Sequence, residues 1–285
     1  MLKQPRECSW QIDGLALRGL QWGDEDACPV LALHGWQDNA ASFAHLAPQL
    51  DGCHIVAPDL SGQGKSASRS MDATYNIWDD APQIITLLDQ LGWQRCSLLG
   101  HSRGAIMSTL LASALPERFE RLVLLDAVIP AAEREEDFPE QFAKFLHDRR
   151  LALTAKQRRY ATYDEAVSAR ARRGLPLASA HGLASRGLAG DDEQGWVWQI
   201  DPRLRGSSAI KLSHVQLNAI VAAVKAPTLI LKASEGAMKT LSLGHLLSSN
   251  SQLQIQVVEG GHHFHMEPVV DQWVATILDF LGVNK

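Results

Sequence analysis

The apolar run Cys96-Ser97-Leu98-Leu99 leads directly into Gly100-His101-Ser102-Arg103-Gly104, and from Ala105 to Leu115 isoleucine, methionine and leucine recur at helical spacing. A buried strand, a tight turn and a helix, in that order and with a serine at the apex, lift a hydroxyl above a sheet. The flanking glycines have a steric reason, because a Cβ at either position would meet the strand or the helix that the turn joins. The five-residue pattern alone is weak, and its placement between strand and helix is what carries the argument.

A serine hydroxyl is a poor nucleophile unless a base stands beside it, and that base must be held in one tautomer by a carboxylate. For this kind of turn the partners follow in the order acid, then histidine. Downstream, Gln254-Ile255-Gln256-Val257-Val258 alternates as a strand does and runs into Glu259-Gly260-Gly261-His262-His263-Phe264-His265-Met266-Glu267-Pro268. His262 directly follows the glycine pair and is the expected base. His263 and His265 are the alternatives, with packing or supporting roles otherwise. Three histidines within four positions also suit zinc, but no second group of Cys, His or paired carboxylates has ligand spacing elsewhere, so neither a metal nor a cofactor is expected.

Upstream, Val30-Leu31-Ala32-Leu33 reads as a buried strand ending in His34-Gly35-Trp36-Gln37-Asp38-Asn39. A Gly-containing turn there can aim a backbone N–H at a developing oxyanion, paired with the N–H of the residue after the nucleophile. The expected oxyanion hole is therefore the main chain of Trp36 and Arg103. Asn39 is expected to cap a helix running through Phe43, Leu46 and Leu50, and His34 to tie the turn together. After the strand His54-Ile55-Val56-Ala57, the stretch Pro58-Asp59-Leu60-Ser61-Gly62-Gln63-Gly64-Lys65-Ser66 lacks the spacing of either phosphate-binding loop and reads as a structural turn.

With these pieces assembled, HGW, DLSGQGKS, GHSRG, LVLLDAV and EGGHHFHMEP together resemble the α/β-hydrolase superfamily from about residue 10 to 282. More narrowly, HGWQDNAASF and WVWQIDPRLR are similar to the serine hydrolase-like proteins and related bacterial hydrolases. The resemblance implies an α/β-hydrolase fold, a mostly parallel eight-stranded sheet flanked by helices, with Ser102 as nucleophile, His262 as base and the Trp36 and Arg103 amides as oxyanion hole. The third member of the triad departs from the common pattern. Most relatives end the seventh strand in G-x-x-D, whereas here Pro227-Thr228-Leu229-Ile230-Leu231-Lys232 runs into Ala233-Ser234-Glu235-Gly236, with Gly236 at the acid position. Two carboxylates remain: Asp126, which ends the sixth-strand run Leu122-Val123-Leu124-Leu125, and Glu235, one residue early. Some superfamily members, including a group of haloalkane dehalogenases, take their acid from the end of the sixth strand, so Asp126 is the expected acid and Glu235 the alternative.

The rhythm of strand and helix divides the chain. Residues 1–129 and 227–285 form the expected core, opening on a hairpin around Ser9 to Leu20 with its turn at Asp13-Gly14, and including a helix from Ile77 to Leu91. Residues 130–226 are rich in Arg, Ala and Leu at helical spacing and contain no convincing buried strand. They read as a helical cap inserted between the sixth and seventh strands, lying over the serine, because sites in open parallel sheets form at the carboxyl ends of the strands. Within it, Trp196 and Trp198 either line an acyl pocket or pack the cap, and Arg149, Arg150, Arg158, Arg159, Arg170, Arg172 and Arg173 read as a solvated, charge-balanced face. The Arg103 side chain either reaches a substrate carboxylate or pairs elsewhere.

A chain of 285 residues, 46% hydrophobic and 21% charged, suits one sheet core plus an insertion. Its net charge of -5 gives no reason to expect nucleic acid as a partner. Met1 to Glu7 lacks the apolar core of a signal peptide, and no run of about eighteen apolar residues would span a membrane, so a cytoplasmic protein acting on a small molecule is expected. Cys8, Cys28, Cys53 and Cys96 read as free thiols. The expected reaction is hydrolysis of an ester or related carbonyl through an acyl-enzyme. The alternatives are carbon–carbon hydrolysis of a diketone acid on the same machinery and a binding module that turns over negligibly. Haloalkane or epoxide chemistry is disfavoured, since relatives that perform it use an Asp nucleophile where this chain has Ser102.

Overall fold

The structure, a computed structural model, describes residues 4–239 and 250–283. In chain order the first half contributes β1 (Arg6–Ile12), β2 (Leu15–Trp22), β3 (Cys28–Leu33), β4 (Cys53–Pro58), α1 (Ala81–Gln90), β5 (Cys96–His101), α2 (Arg103–Ala114) and β6 (Phe119–Leu125). The insertion follows with α3 (Phe138–Thr154), α4 (Tyr163–Ala171), α5 (Leu177–Gly187), the two-residue strands β7 (Leu188–Ala189) and β8 (Val197–Trp198), and α6 (His214–Ala223). The chain then returns to the sheet with β9 (Thr228–Glu235) and β10 (Leu253–Gly261), and ends in α7 (Val274–Leu281).

Eight strands form one sheet in the order β1-β2-β4-β3-β5-β6-β9-β10. The β1/β2 hairpin and the β2/β4 pair are antiparallel, and every other neighbour is parallel. The hairpin turns at Asp13 and Gly14, with φ of 50° and 79°, the backbone that a two-residue turn between right-twisted strands demands.

Continuous apolar runs in the central strands follow from burial on both faces. On one side Leu31, Leu33, Leu98, Leu122 and Leu124 pack against Leu87 of α1, Met107 of α2 and Val221 of α6. On the other, Val30, Leu99, Val123 and Leu231 meet Phe43, Phe264 and Ile277. Both layers therefore clamp the strands whose carboxyl ends carry the candidate site.

Several local expectations change. The helix expected after Asn39 is two short 3-10 turns, Ala40–Phe43 and Ala47–Gln49, because Pro48 cannot donate the N–H that a continuous helix requires. The segment from Ile77 begins as a 3-10 turn, Ile77–Asp80, and becomes α1 only at Ala81, with Pro82 in the first helical turn where a missing N–H costs nothing. The insertion holds the small β7/β8 ladder, and its last helix, α6, packs through Val221 on the sheet layer.

Of the arginines expected on a solvated face, Arg150, Arg158, Arg159, Arg172 and Arg173 are exposed, whereas Arg149 and Arg170 turn to the core. Arg149 donates to the carbonyls of Met71, Asp72 and Ala73, and Arg170 to Asp38 and the Gln37 carbonyl. Arg186, buried to 4% side-chain exposure, makes paired bonds of 2.9 Å with the fully buried Asp59 and reaches Glu7 as well. These bonds pin the insertion to the loops of the core. All four cysteines are free thiols, and burial pushes those of Cys53 and Cys96 up to about 12. Among the described residues no helix is long and apolar enough to cross a membrane.

Candidate active site

Parallel register puts the key positions side by side. His101 pairs with Leu125 across β5 and β6, and Leu125 with Leu231 across β6 and β9, so Ser102 and Asp126 leave adjacent strand ends. Ser102 has φ 52° and ψ -118°, a left-handed backbone that a non-glycine residue holds only where its surroundings enforce it. They do so here by close approach. A Cβ on Gly100 would lie 2.5 Å from the Ala105 Cα, and one on Gly104 would lie 1.9 Å from the Leu33 carbonyl oxygen. The serine is thus forced to the apex, at the N-terminus of α2, where backbone N–H groups favour negative charge.

His262 follows β10 and reaches across the end of β9. Its Nε2 is 2.9 Å from Ser102 Oγ and its Nδ1 is 2.6 Å from Asp126 Oδ2. A carboxylate accepts only, so the Nδ1–H donates to Asp126 and the Nε2 lone pair is left to accept the serine proton. Asp126 is fully buried, with φ 51°, and also accepts the N–H of Ala233 at 3.0 Å and of Ala237 at 2.6 Å. Those bonds hold the carboxylate over the end of β9. A Cβ on Gly236 would fall 2.1 Å from Asp126 Oδ2, so the side chain missing from β9 vacates the volume that the carboxylate from β6 fills. Glu235 instead points to solvent and pairs with Lys239. Of the two carboxylates the sequence offered, only Asp126 meets the histidine.

The other two histidines of the loop turn elsewhere. His265 is buried against the His101 ring, with Nε2 2.8 Å from Ser42 Oγ, and His263 faces Asp38 at 3.5 Å. His34 donates through Nδ1 to the Gly35 carbonyl and accepts the Leu60 N–H at Nε2, which makes it a tie between two loops; burial lowers its pKa, in keeping with a neutral ring. Asp59 accepts the N–H groups of Ala40 and Lys65, and a Cβ on Gly64 would lie 2.5 Å from its carboxylate, so that glycine makes room for Asp59.

Trp36 lies in the turn after β3 and Arg103 is the first residue of α2. The Trp36 indole donates at 2.7 Å to the Leu204 carbonyl of the insertion. The Arg103 guanidinium donates to Asp80 at 2.7 Å and to the carbonyls of Asn76 and Tyr75, so its charge is already engaged by the protein. Beside both residues opens a cavity of about 370 Å³, walled chiefly by Ile77, Trp78, Leu110, Pro130, Ile210 and Leu212. Trp196 and Trp198 do not line it. Their indoles donate to Asp192 and to the Ala166 carbonyl, and they pack the insertion.

Two residues to which the sequence alone assigned no role prove central to the site. His101, between the turn glycine and the serine, is fully buried and its Nε2 is 2.9 Å from the His262 carbonyl oxygen, bracing the loop that carries the histidine. Asp80 holds Arg103 and Arg69. A polar residue inside an otherwise apolar strand end was the available signal for His101. Nothing local marked Asp80.

The family model described as alpha/beta hydrolase fold matches residues 29–269. A zebrafish (Danio rerio) serine hydrolase-like protein is 30% identical over 264 residues, covering 88% of this chain and 80% of that one. A Drosophila melanogaster probable serine hydrolase is 29% identical, covering 91% and 84%. Among solved structures, a selenomethionine-substituted hypothetical protein from Pseudomonas aeruginosa PAO1 superposes with a TM-score of 0.92 at 36% identity, covering 98% of this chain and 99% of that one.

Proposed function

This chain belongs to the alpha/beta hydrolase family, and we propose that it hydrolyses carboxylic esters, or closely related acyl compounds, with Ser102 as nucleophile, His262 as base and Asp126 as acid. One observation above all supports the reading: hydroxyl, imidazole and carboxylate form an unbroken line of contacts at 2.9 Å and 2.6 Å, with the histidine tautomer fixed in the sense that proton abstraction needs.

On this reading His262 Nε2 takes the proton of Ser102 Oγ as the oxygen attacks the acyl carbonyl carbon. The carbonyl oxygen becomes the oxyanion, received by the backbone N–H groups of Trp36 and Arg103. Asp126 stabilises the imidazolium, which returns its proton to the leaving alcohol as the tetrahedral intermediate collapses to an ester on Ser102. Water, deprotonated by His262, then attacks that ester, and the serine leaves with its hydroxyl restored. The apolar cavity beside Trp36 and Arg103 takes the acyl chain, and its volume suits a medium-sized apolar group. Arg103 is paired with Asp80, and Lys211 of the same wall with Glu133, so neither cation is left free for a substrate charge. The free thiols fit a reducing, cytoplasmic setting.

The test is steady turnover of a p-nitrophenyl ester of medium acyl length. Ser102→Ala and His262→Ala should each lower kcat by about a million-fold, and the double variant little further, because the two groups act as one unit. Undiminished turnover in Ser102→Ala, or a single stoichiometric burst in the unaltered protein, contradicts the proposal.

A further inference from the structure

Beside the His262 ring the fold gathers three donor atoms that the proposed reaction does not use. The side chains of Asp38 and His101 are 1% and 0% exposed and that of His263 is 17% exposed. Asp38 Oδ2 lies 3.5 Å from His101 Nδ1 and 3.5 Å from His263 Nε2, and all three atoms lie within 4.8 Å of one another.

The His101 tautomer is set from the far side of its ring. Nε2 approaches the His262 carbonyl oxygen at 2.9 Å, which requires an N–H there. In the neutral ring Nδ1 then carries a lone pair, and it faces a carboxylate oxygen: two acceptors with no proton between them. Neither Asp38 Oδ2 nor His101 Nδ1 has a hydrogen-bond partner. The other Asp38 oxygen is already engaged by Arg170 at 2.9 Å. Between the facing atoms the space stays open because residue 35 is glycine, where a Cβ would sit 2.7 Å from Asp38 Oδ2 and 2.8 Å from His101 Nδ1.

We propose that Asp38, His101 and His263 form a binding site for a zinc-type divalent transition ion, with its fourth position open to water on the His263 side. Two imidazoles and one carboxylate are the donor set of three-ligand zinc centres. Bonds of about 2.0–2.1 Å at tetrahedral angles separate donor atoms by about 3.3–3.4 Å, close to both distances from Asp38 Oδ2. The histidine cluster of the sequence lacked a second ligand group along the chain. The fold supplies that group from the turn after β3 and from the last residue of β5.

The site is independent of the esterase reading and is tested by binding. Chelator-stripped full-length protein is titrated with Zn²⁺ at neutral pH by calorimetry, alongside His263→Gln and His262→Ala, each checked for an unchanged circular dichroism spectrum. The expected result is one ion per chain in the unaltered protein, retained in His262→Ala and weakened about a hundredfold in His263→Gln, since loss of a direct ligand costs at least what loss of a supporting partner does. Three results overturn the proposal: no saturable binding, equal affinity in His263→Gln, or loss of the ion in His262→Ala, which would assign it to the proposed base.

Discussion

The carboxylate that His262 meets comes from the end of β6, one strand away from where most relatives carry it, and Gly236 explains how the site tolerates the move. Asp126 accepts the His262 Nδ1–H and two backbone N–H groups from the end of β9, so a buried charge is satisfied on three sides. Asp126→Asn should lower kcat by about four orders of magnitude, because an amide no longer holds the imidazole in the productive tautomer. Glu235→Gln should leave kcat within about twofold, since exposed ion pairs such as that with Lys239 contribute little. Steady-state kinetics on the two variants separates them, and the reverse ranking would move the acid to β9. The sequence made both carboxylates visible. It could not show which one bends over the neighbouring strand, because that depends on the space left by Gly236 and on N–H groups that converge only in three dimensions.

At the scale of the element, the strand, turn and helix from β5 to α2 form a strained unit whose legibility was high. Gly100 and Gly104 announced it in the sequence, and contact with Ala105 and with the Leu33 carbonyl accounts for both. Gly104→Ala would press a methyl group into the backbone of β3, which cannot swing aside as a side chain can. It should destabilise the protein by about 3 kcal/mol or more, read as a lowered unfolding midpoint in urea. An unchanged midpoint would mean that the turn is looser than its φ of 52° at Ser102 implies. Less legible was the stretch after Asn39, where apolar spacing suggested one helix and Pro48 divided it into two 3-10 turns.

For the whole molecule, the question is how a sheet core and an inserted helical segment hold one geometry around the site. The answer lies in ion pairs and hydrogen bonds across their boundary. Arg186 of α5 pairs with Asp59 and Glu7, Arg170 of α4 with Asp38, and the Trp36 indole with Leu204. The sequence marked some of these arginines only as a charged face, because the carboxylates they meet lie more than a hundred residues away. Arg186→Met would leave Asp59 buried and short of its countercharge, at a cost of about 3–5 kcal/mol measured by chemical unfolding. A loss below about 1 kcal/mol would show that the insertion is held by its apolar contacts alone. The sheet itself was readable almost strand by strand, since parallel strands buried on both faces must be continuous apolar runs. What remained hidden was the traffic between loops at its carboxyl edge, where the site is made.

The central claim is that Ser102 is made nucleophilic by His262, and reaction with a fluorophosphonate reports on it directly. Mass spectrometry of the digested, labelled protein should find one adduct per chain, on the peptide carrying Ser102, with His262→Ala slowing labelling by at least a thousandfold. Labelling elsewhere, or a rate indifferent to the histidine, would contradict the account.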